Sequence, residues 1–118
     1  MNNYSSIYPV EVMDKIEPTS YHHPIDERSA SRLAEIFRSL SDPSRIRIVS
    51  VLAEGETSVG ALAQAVGLSE SAVSHHLRGL RLMRLVRARK AGRQVYYALD
   101  DEHITDLYRR GLDHVLHS

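Results

Sequence analysis

Four side chains near the end of the chain are of types that bind metal ions: Asp101, His103, His114 and His117. Carboxylate and imidazole suit Zn(II), Co(II) or Ni(II), and no thiolate competes because the sequence has no cysteine. From Asp100 to Ser118, the residues Ile104, Leu107, Tyr108, Gly111, Leu112 and Val115 are spaced as one face of an amphipathic helix. On that helix His103 and His114 lie about 20° apart in azimuth but roughly 16 Å apart along the axis. A zinc ion holds its ligands at about 2 Å, so one helix cannot bring both histidines to one ion. Two antiparallel copies can, the Asp101/His103 end of one facing the His114/His117 end of the other. A metal site here therefore implies a symmetric homodimer with two equivalent sites. The plainer alternative is a dimer helix with a polar edge, on which Asp100 or Asp101 is only an N-cap.

The elements that must position these residues are bounded by the totals. A chain of 118 residues makes one domain with a short extension. Its 42% hydrophobic content suits a folded core, and no apolar run approaches the roughly 18 residues of a membrane span. The first ten residues have neither a basic n-region nor an apolar h-region, so no signal peptide is expected and the location expected is cytoplasmic. The formal net charge is +0, but the charge is unevenly placed. Between Ser71 and Leu99 stand Arg78, Arg81, Arg84, Arg87, Arg89, Lys90 and Arg93 with no acidic residue. All 15 acidic residues lie elsewhere, so one face can hold an anion despite the neutral total.

Residues 1–25 read as a flexible N-terminal extension, rich in Asn, Ser and Tyr and interrupted by Pro9, Pro18 and Pro24. His22 and His23 at its end are either accessory metal ligands or solvated loop residues. The folded domain is expected over 26–118. A helix is expected from Asp26 or Ser29 to Leu40. Ser41 or Asp42 then caps a second helix with Pro43 in its first turn. That helix is apolar over most of its circumference (Ile46, Ile48, Val49, Val51, Leu52) and should be central, with Arg45 and Arg47 extending from it and Gly55 ending it. Ser58 to Val66 reads as a third, short helix. Gly67 stands where a helix-turn-helix needs a positive φ, and Ser69 caps the fourth helix.

Small polar and basic residues crowd the front of that fourth helix: Ser69, Ser71, Ser74, His75 and Arg78. A helix entering the major groove must come close to base edges, and these side chains can hydrogen-bond there. An ordinary N-capped surface helix is the bland alternative. Next comes an alternation of apolar and basic residues from Leu85 to Arg89, a turn at Lys90-Ala91-Gly92-Arg93, and a β-forming run from Gln94 to Leu99. A basic hairpin after a helix-turn-helix is a wing, its cationic tip (Arg89, Lys90, Arg93) suited to phosphates or the minor groove and offset by no nearby carboxylate in the sequence.

From Ala34 to His117 the chain resembles the ArsR/SmtB family of winged-helix metal-responsive repressors. The resemblance rests on Ser41-Asp42-Pro43-Ser44-Arg45, Leu62 to Ser69, Ser71-Ala72-Val73-Ser74-His75-His76-Leu77, Leu85-Val86, and Gly92-Arg93 followed by Val95 to Leu99. It implies a mainly α fold with a β-hairpin wing, a winged helix-turn-helix, acting as a homodimer on an imperfect inverted repeat in operator DNA and released when metal binds. In relatives that sense zinc, cobalt or nickel through the last helix, the signature is Asp-x-His, ten residues, then His-x-x-His or His-x-x-Glu; Asp101, His103, His114 and His117 match it at every position.

The resemblance also implies a hydrogen bond from a His114 ring nitrogen to the backbone near Arg84. A second family site, built on cysteines at the third helix, looks absent because Ser58 and Ala61 stand in its place. Zinc is the metal this donor set favours, with cobalt and nickel as alternatives. An enzyme is not expected: four protein ligands close a zinc tetrahedron, and neither a Gly-rich phosphate loop nor a nucleophile elbow is present. A metal-independent regulator of the same fold is the rival reading.

Overall fold

The computed structural model describes residues 24–117. Residues 1–23 and Ser118, and with them all but the last two residues of the extension, His22 and His23 included, lie outside the described residues. Two compact units divide after Ala34.

Helix α1 spans Glu27–Leu40, and Asp26 caps it by accepting from the Ser29 N–H at 3.1 Å. Helix α2 follows over Pro43–Leu52, capped by Asp42, whose side chain accepts from Ser44 and Arg45. Hydrogen bonding of that carboxylate, first by the Arg45 N–H, holds the Asp42 pKa below its ordinary value against desolvation. Proline at the first helical position costs nothing, because its missing N–H would have had no intrahelical partner. The helix ends at Leu52, and Gly55 lies beyond its last turn with φ 146.

A two-residue strand β1, Thr57–Ser58, was not foreseen from sequence. Strands this short carry no periodicity, and this one exists because it pairs antiparallel with a distant partner. Helix α3 (Val59–Val66) starts from the Ser58 cap and ends at Gly67 in the left-handed conformation, φ 70. Ser69 caps α4, Glu70–Leu82. Strands β2 (Val86–Ala91) and β3 (Gln94–Leu99) form the hairpin, and the sheet order is β1-β3-β2. The turn is tighter than expected: Ala91 pairs with Gln94, leaving only Gly92 and Arg93 in the loop. Gly92 has φ 61 and Arg93 does not have a positive φ, the pattern of a type II′ hairpin turn. Helix α5 closes the chain over Glu102–Leu116.

The core is one cluster drawn from every central element. Ile48, Val49 and Leu52 of α2 meet Leu62, Ala63 and Val66 of α3, Val73, Leu77 and Leu80 of α4, and Leu85, Val86 and Leu99 at the base of the hairpin. All are buried, and among the described residues no polar or charged residue is buried with them. Helix α2 sits centrally, as its apolar circumference demands, while α5 has no buried residue among those described and packs its partly buried Ile104 and Tyr108 on the core.

Candidate functional site

The first candidate surface is the outer face of α4. Ser71, Ser74, His75 and Arg78 recur at helical spacing on one side, opposite the buried Val73, Leu77 and Leu80. Ser71, His75 and Arg78 are exposed and Ser74 is half-buried. Ser69 has a structural duty: its Oγ accepts the Ala72 N–H at 3.1 Å as the helix cap. Between α4 and the wing, Arg84 takes a positive φ of 57, with the Leu85 N–H bonding back to the Leu80 carbonyl at 2.9 Å. That 6→1 bond is a Schellman closure, which directs the chain from the recognition-type helix straight into β2.

The wing is the second surface. Lys90 and Arg93 are exposed at the tip. Arg89 is not unopposed, as the sequence run suggested. Its Nη2 lies 2.6 Å from Glu56 Oε1 and its Nε 3.1 Å from Oε2, a two-pronged pair, and its guanidinium lies 5.1 Å from the Tyr96 ring centroid. Hydrogen bonding by Arg89 holds the Glu56 pKa below its usual value, and Glu56 in turn raises that of Arg89. Sequence reasoning missed Glu56 because it stands 33 residues away, just before a strand too short to predict.

The third surface is α5. Asp101 caps this helix: one oxygen, Oδ1, accepts the His103 N–H at 2.8 Å and the Ile104 N–H at 3.4 Å. The same oxygen lies 3.2 Å from His103 Nδ1, so the cap and the Asp-x-His pairing are both real. Desolvation pushes the Asp101 pKa up, but hydrogen bonds from the His103 and Ile104 backbone and the His103 ring outweigh it, and the carboxyl stays below its ordinary value. With Nδ1 turned to Asp101, His103 presents Nε2 outward, and its side chain is 93% exposed. His117 is the C-cap residue, with its Nδ1 2.9 Å from the Asp113 carbonyl and 3.1 Å from Asp113 Oδ1. The His114 ring makes no hydrogen bond among the described residues, so the structure does not show the implied link to the backbone near Arg84.

Within one chain the four candidate ligands stay as two separated pairs. Among the described residues no three His, Asp or Glu side chains converge as a metal site. Each pair is exposed and neither is locked by a buried partner. Carboxylate and imidazole donors are of the types that fit a borderline divalent ion, and each pair by itself offers only two of them. Beside the pairs runs an open groove of ≈ 500 Å³ between α1, α2 and α5, lined by Phe37, Leu40, Ile46, Leu107, Leu112 and Val115 among others. Phe37 is 51% exposed and Val115 68%.

Comparison with known proteins bears on these surfaces. Residues 42–88, from the α2 cap into β2, match the family described as bacterial regulatory protein, arsR family. The chain is 53% identical over 89 residues to a transcriptional repressor SmtB homolog of Synechocystis sp., covering 75% of this chain and 67% of that protein. It is 39% identical over 94 residues to the HTH-type transcriptional regulator NmtR of Mycobacterium tuberculosis, covering 80% and 78%. The solution structure of apo-NmtR superposes with a TM-score of 0.70 at 38% identity, over 83% of this chain and 82% of that one. The homodimeric winged helix-turn-helix DNA-binding domain Mb0332 from Mycobacterium bovis, a possible ArsR-family regulator, superposes with a TM-score of 0.67 at 30% identity, over 80% and 89%. The fold is thus a winged helix-turn-helix, with α3 and α4 as the two helices and β2–β3 as the wing, and its role is DNA-binding transcription regulation rather than catalysis. The chain belongs to the arsR family of bacterial regulatory proteins.

Proposed function

We propose that the protein is a metal-responsive transcriptional repressor of the cytoplasm, acting as a homodimer on an imperfect inverted repeat and released when Zn(II), or Co(II) or Ni(II), binds across the dimer. One observation carries this: α5 bears an Asp101/His103 pair at one end and a His114/His117 pair at the other, beside an apolar stripe on which Leu107 and Leu112 stay partly exposed. Antiparallel pairing of two such helices covers the stripe and joins each half-site to its complement. Gly111 supports a close approach, since a Cβ there would meet no atom within 4 Å among the described residues. Asp101 and His103 of one subunit with His114 and His117 of the other would hold the ion, which supplies a rigid cross-link between the subunits. Asp101 would use the oxygen its cap leaves over, so the helix start survives binding.

The chain's own residues do the rest. Ser71, Ser74, His75 and Arg78 read the major groove, while Lys90, Arg93 and, once freed from Glu56, Arg89 hold phosphates. Fixing α5 against its copy fixes the distance between two α4 helices, which must match successive major grooves roughly 34–36 Å apart. A metal-clamped spacing that departs from that separation sets metal against DNA, and the opposition is reciprocal. The test is operator affinity with and without Zn(II). His103→Ala and His114→Ala should each keep metal-free DNA binding and lose metal-induced release. Unchanged release in both variants overturns the site, and operator affinity indifferent to metal in the unaltered protein selects a metal-independent regulator.

A further inference from the structure

Outside the surfaces above, the Arg45 side chain links three helices. It sits in the first turn of α2, where the Asp42 carboxylate fixes the backbone by accepting its N–H at 3.2 Å. From there the guanidinium reaches two other helices. Its Nη1 donates to the Ser39 carbonyl at 3.3 Å and to Ser39 Oγ at 3.1 Å, near the end of α1. Its Nε donates to His76 Nδ1 at 3.2 Å, in the middle of α4. Beside His76 the guanidinium lies against the α4 backbone at Gly79: a Cβ there would stand 2.5 Å from Nη2 and 2.8 Å from Cζ. His76 and Gly79 occupy the flank of α4 between its buried side and its base-reading side, three residues apart on adjoining turns. Glycine inside a helix is a poor helix former, and the close approach of Arg45 is what it permits here.

We propose that Arg45 is a positioning residue for DNA binding, a strut that sets the orientation of α4 against α1 and α2 and thereby its fit to the operator. A planar guanidinium with its donors in a fixed fork suits this task, because it holds two directions at once where a lysine ammonium holds a point. The contact is half-buried, so water competes with it less than with a surface pair. Its accepting atom requires the Nε2-protonated tautomer of His76 while the bond is made. Ser39 lies on α1 next to Leu40, which packs on the core and lines the groove, so the strut runs from the groove side of the fold to the DNA-reading helix. Phosphate contact is the alternative role for an arginine in such a protein, and it makes different predictions.

The experiment uses the full chain. Gly79→Ala places a methyl where the guanidinium lies and evicts it without removing a charge, while making α4 a better helix. Arg45→Lys keeps the charge and loses the fork. His76→Asn keeps an acceptor near the Nδ1 position, and His76→Leu removes it. Affinity is measured for operator duplex and for an unrelated duplex across a salt series, alongside thermal melting. The strut predicts that Gly79→Ala, Arg45→Lys and His76→Leu lower the operator-to-unrelated affinity ratio by roughly tenfold, the order of one lost direct base contact. It also predicts an unchanged salt slope, a Gly79→Ala melting temperature no lower than that of the unaltered protein, and His76→Asn closer to it than His76→Leu. A slope that falls by about 0.9 for each arginine lost in Arg45→Gln would make Arg45 a phosphate contact and overturn the proposal. An unchanged affinity ratio in Gly79→Ala would overturn it equally, as would specific and unrelated affinities falling together with the melting temperature.

Discussion

Truncating Leu112 to alanine should weaken the dimer by an amount that follows from its exposure. Leu112 lies in the groove beside α5 and is 40% exposed in the single chain. Taking a leucine side chain wholly out of water is worth about 1.5–3 kcal/mol, so covering that fraction is worth roughly 0.6–1.2 kcal/mol. In a twofold interface the same patch is used by both subunits, so each residue counts twice. Alanine keeps the Cβ, which leaves a loss of about 1–2 kcal/mol per dimer, or roughly a 5- to 30-fold rise in the dimer dissociation constant. Alanine is a strong helix former, so α5 itself does not suffer. Sedimentation equilibrium over a concentration series reads the constant directly. Leu82→Ala is the control: Leu82 is 79% exposed but does not line the groove, and its truncation should leave the dimer alone. An unchanged constant for Leu112→Ala, or a larger effect from Leu82→Ala, refutes the placement of the interface on α5.

Three further predictions concern the wing and α4. Glu56→Gln removes the charge that engages Arg89, so operator binding should tighten and its salt slope should steepen by up to about 0.9 for each arginine released onto phosphate; an unchanged slope would mean Arg89 never leaves the wing. Glu56 has a lowered pKa in the fold, so its pairing with Arg89 contributes stability above the unfolded value of 4.5 and loses it as pH falls through the lower folded value. Acid melting curves should therefore show the unaltered protein losing stability in that window faster than Glu56→Gln, and parallel curves would argue against the pair. Ser69→Ala removes the α4 cap and should cost about 1 kcal/mol of unfolding free energy in urea titration; no loss would mean the Ala72 N–H finds another acceptor.

Local signals and distant ones fared differently in the sequence. Asp42 as one of two cap candidates, Gly67 and Ser69 were legible because a cap or a left-handed stop depends on two or three neighbouring residues, whereas Ser58, read as the first residue of α3, is its cap. The apolar rows of α2, α3 and α4 were legible for the same reason, and so was the separation of the candidate α5 ligands into two pairs. The exposed face of α4 could be placed once the helix phase was known, since Val73, Leu77 and Leu80 fix which side turns inward. Glu56 and Arg89 could not be joined, because their meeting depends on β1 pairing with β3 across the fold. The contact of Arg45 with His76 spans 31 residues and was equally hidden. Gly79 was its one trace: a glycine amid good helix formers signals a close approach, but not by what. The wing turn came out shorter than its composition suggested because Lys90 and Ala91 still pair with Val95 and Gln94.

The central claim is that each metal site is built by two subunits, and mixing two inactive variants tests it most directly. His103→Ala lacks one half-site and His114→Ala the other, so neither homodimer should give the intense visible Co(II) absorption of a four-ligand tetrahedral site. A mixed dimer joins the intact Asp101/His103 end of one chain to the intact His114/His117 end of its partner, restoring one complete site. Subunit exchange between the two variants should therefore bring back strong Co(II) bands that neither shows alone. Bands that stay absent after exchange has been verified, or that are already present in either variant, would contradict a shared site.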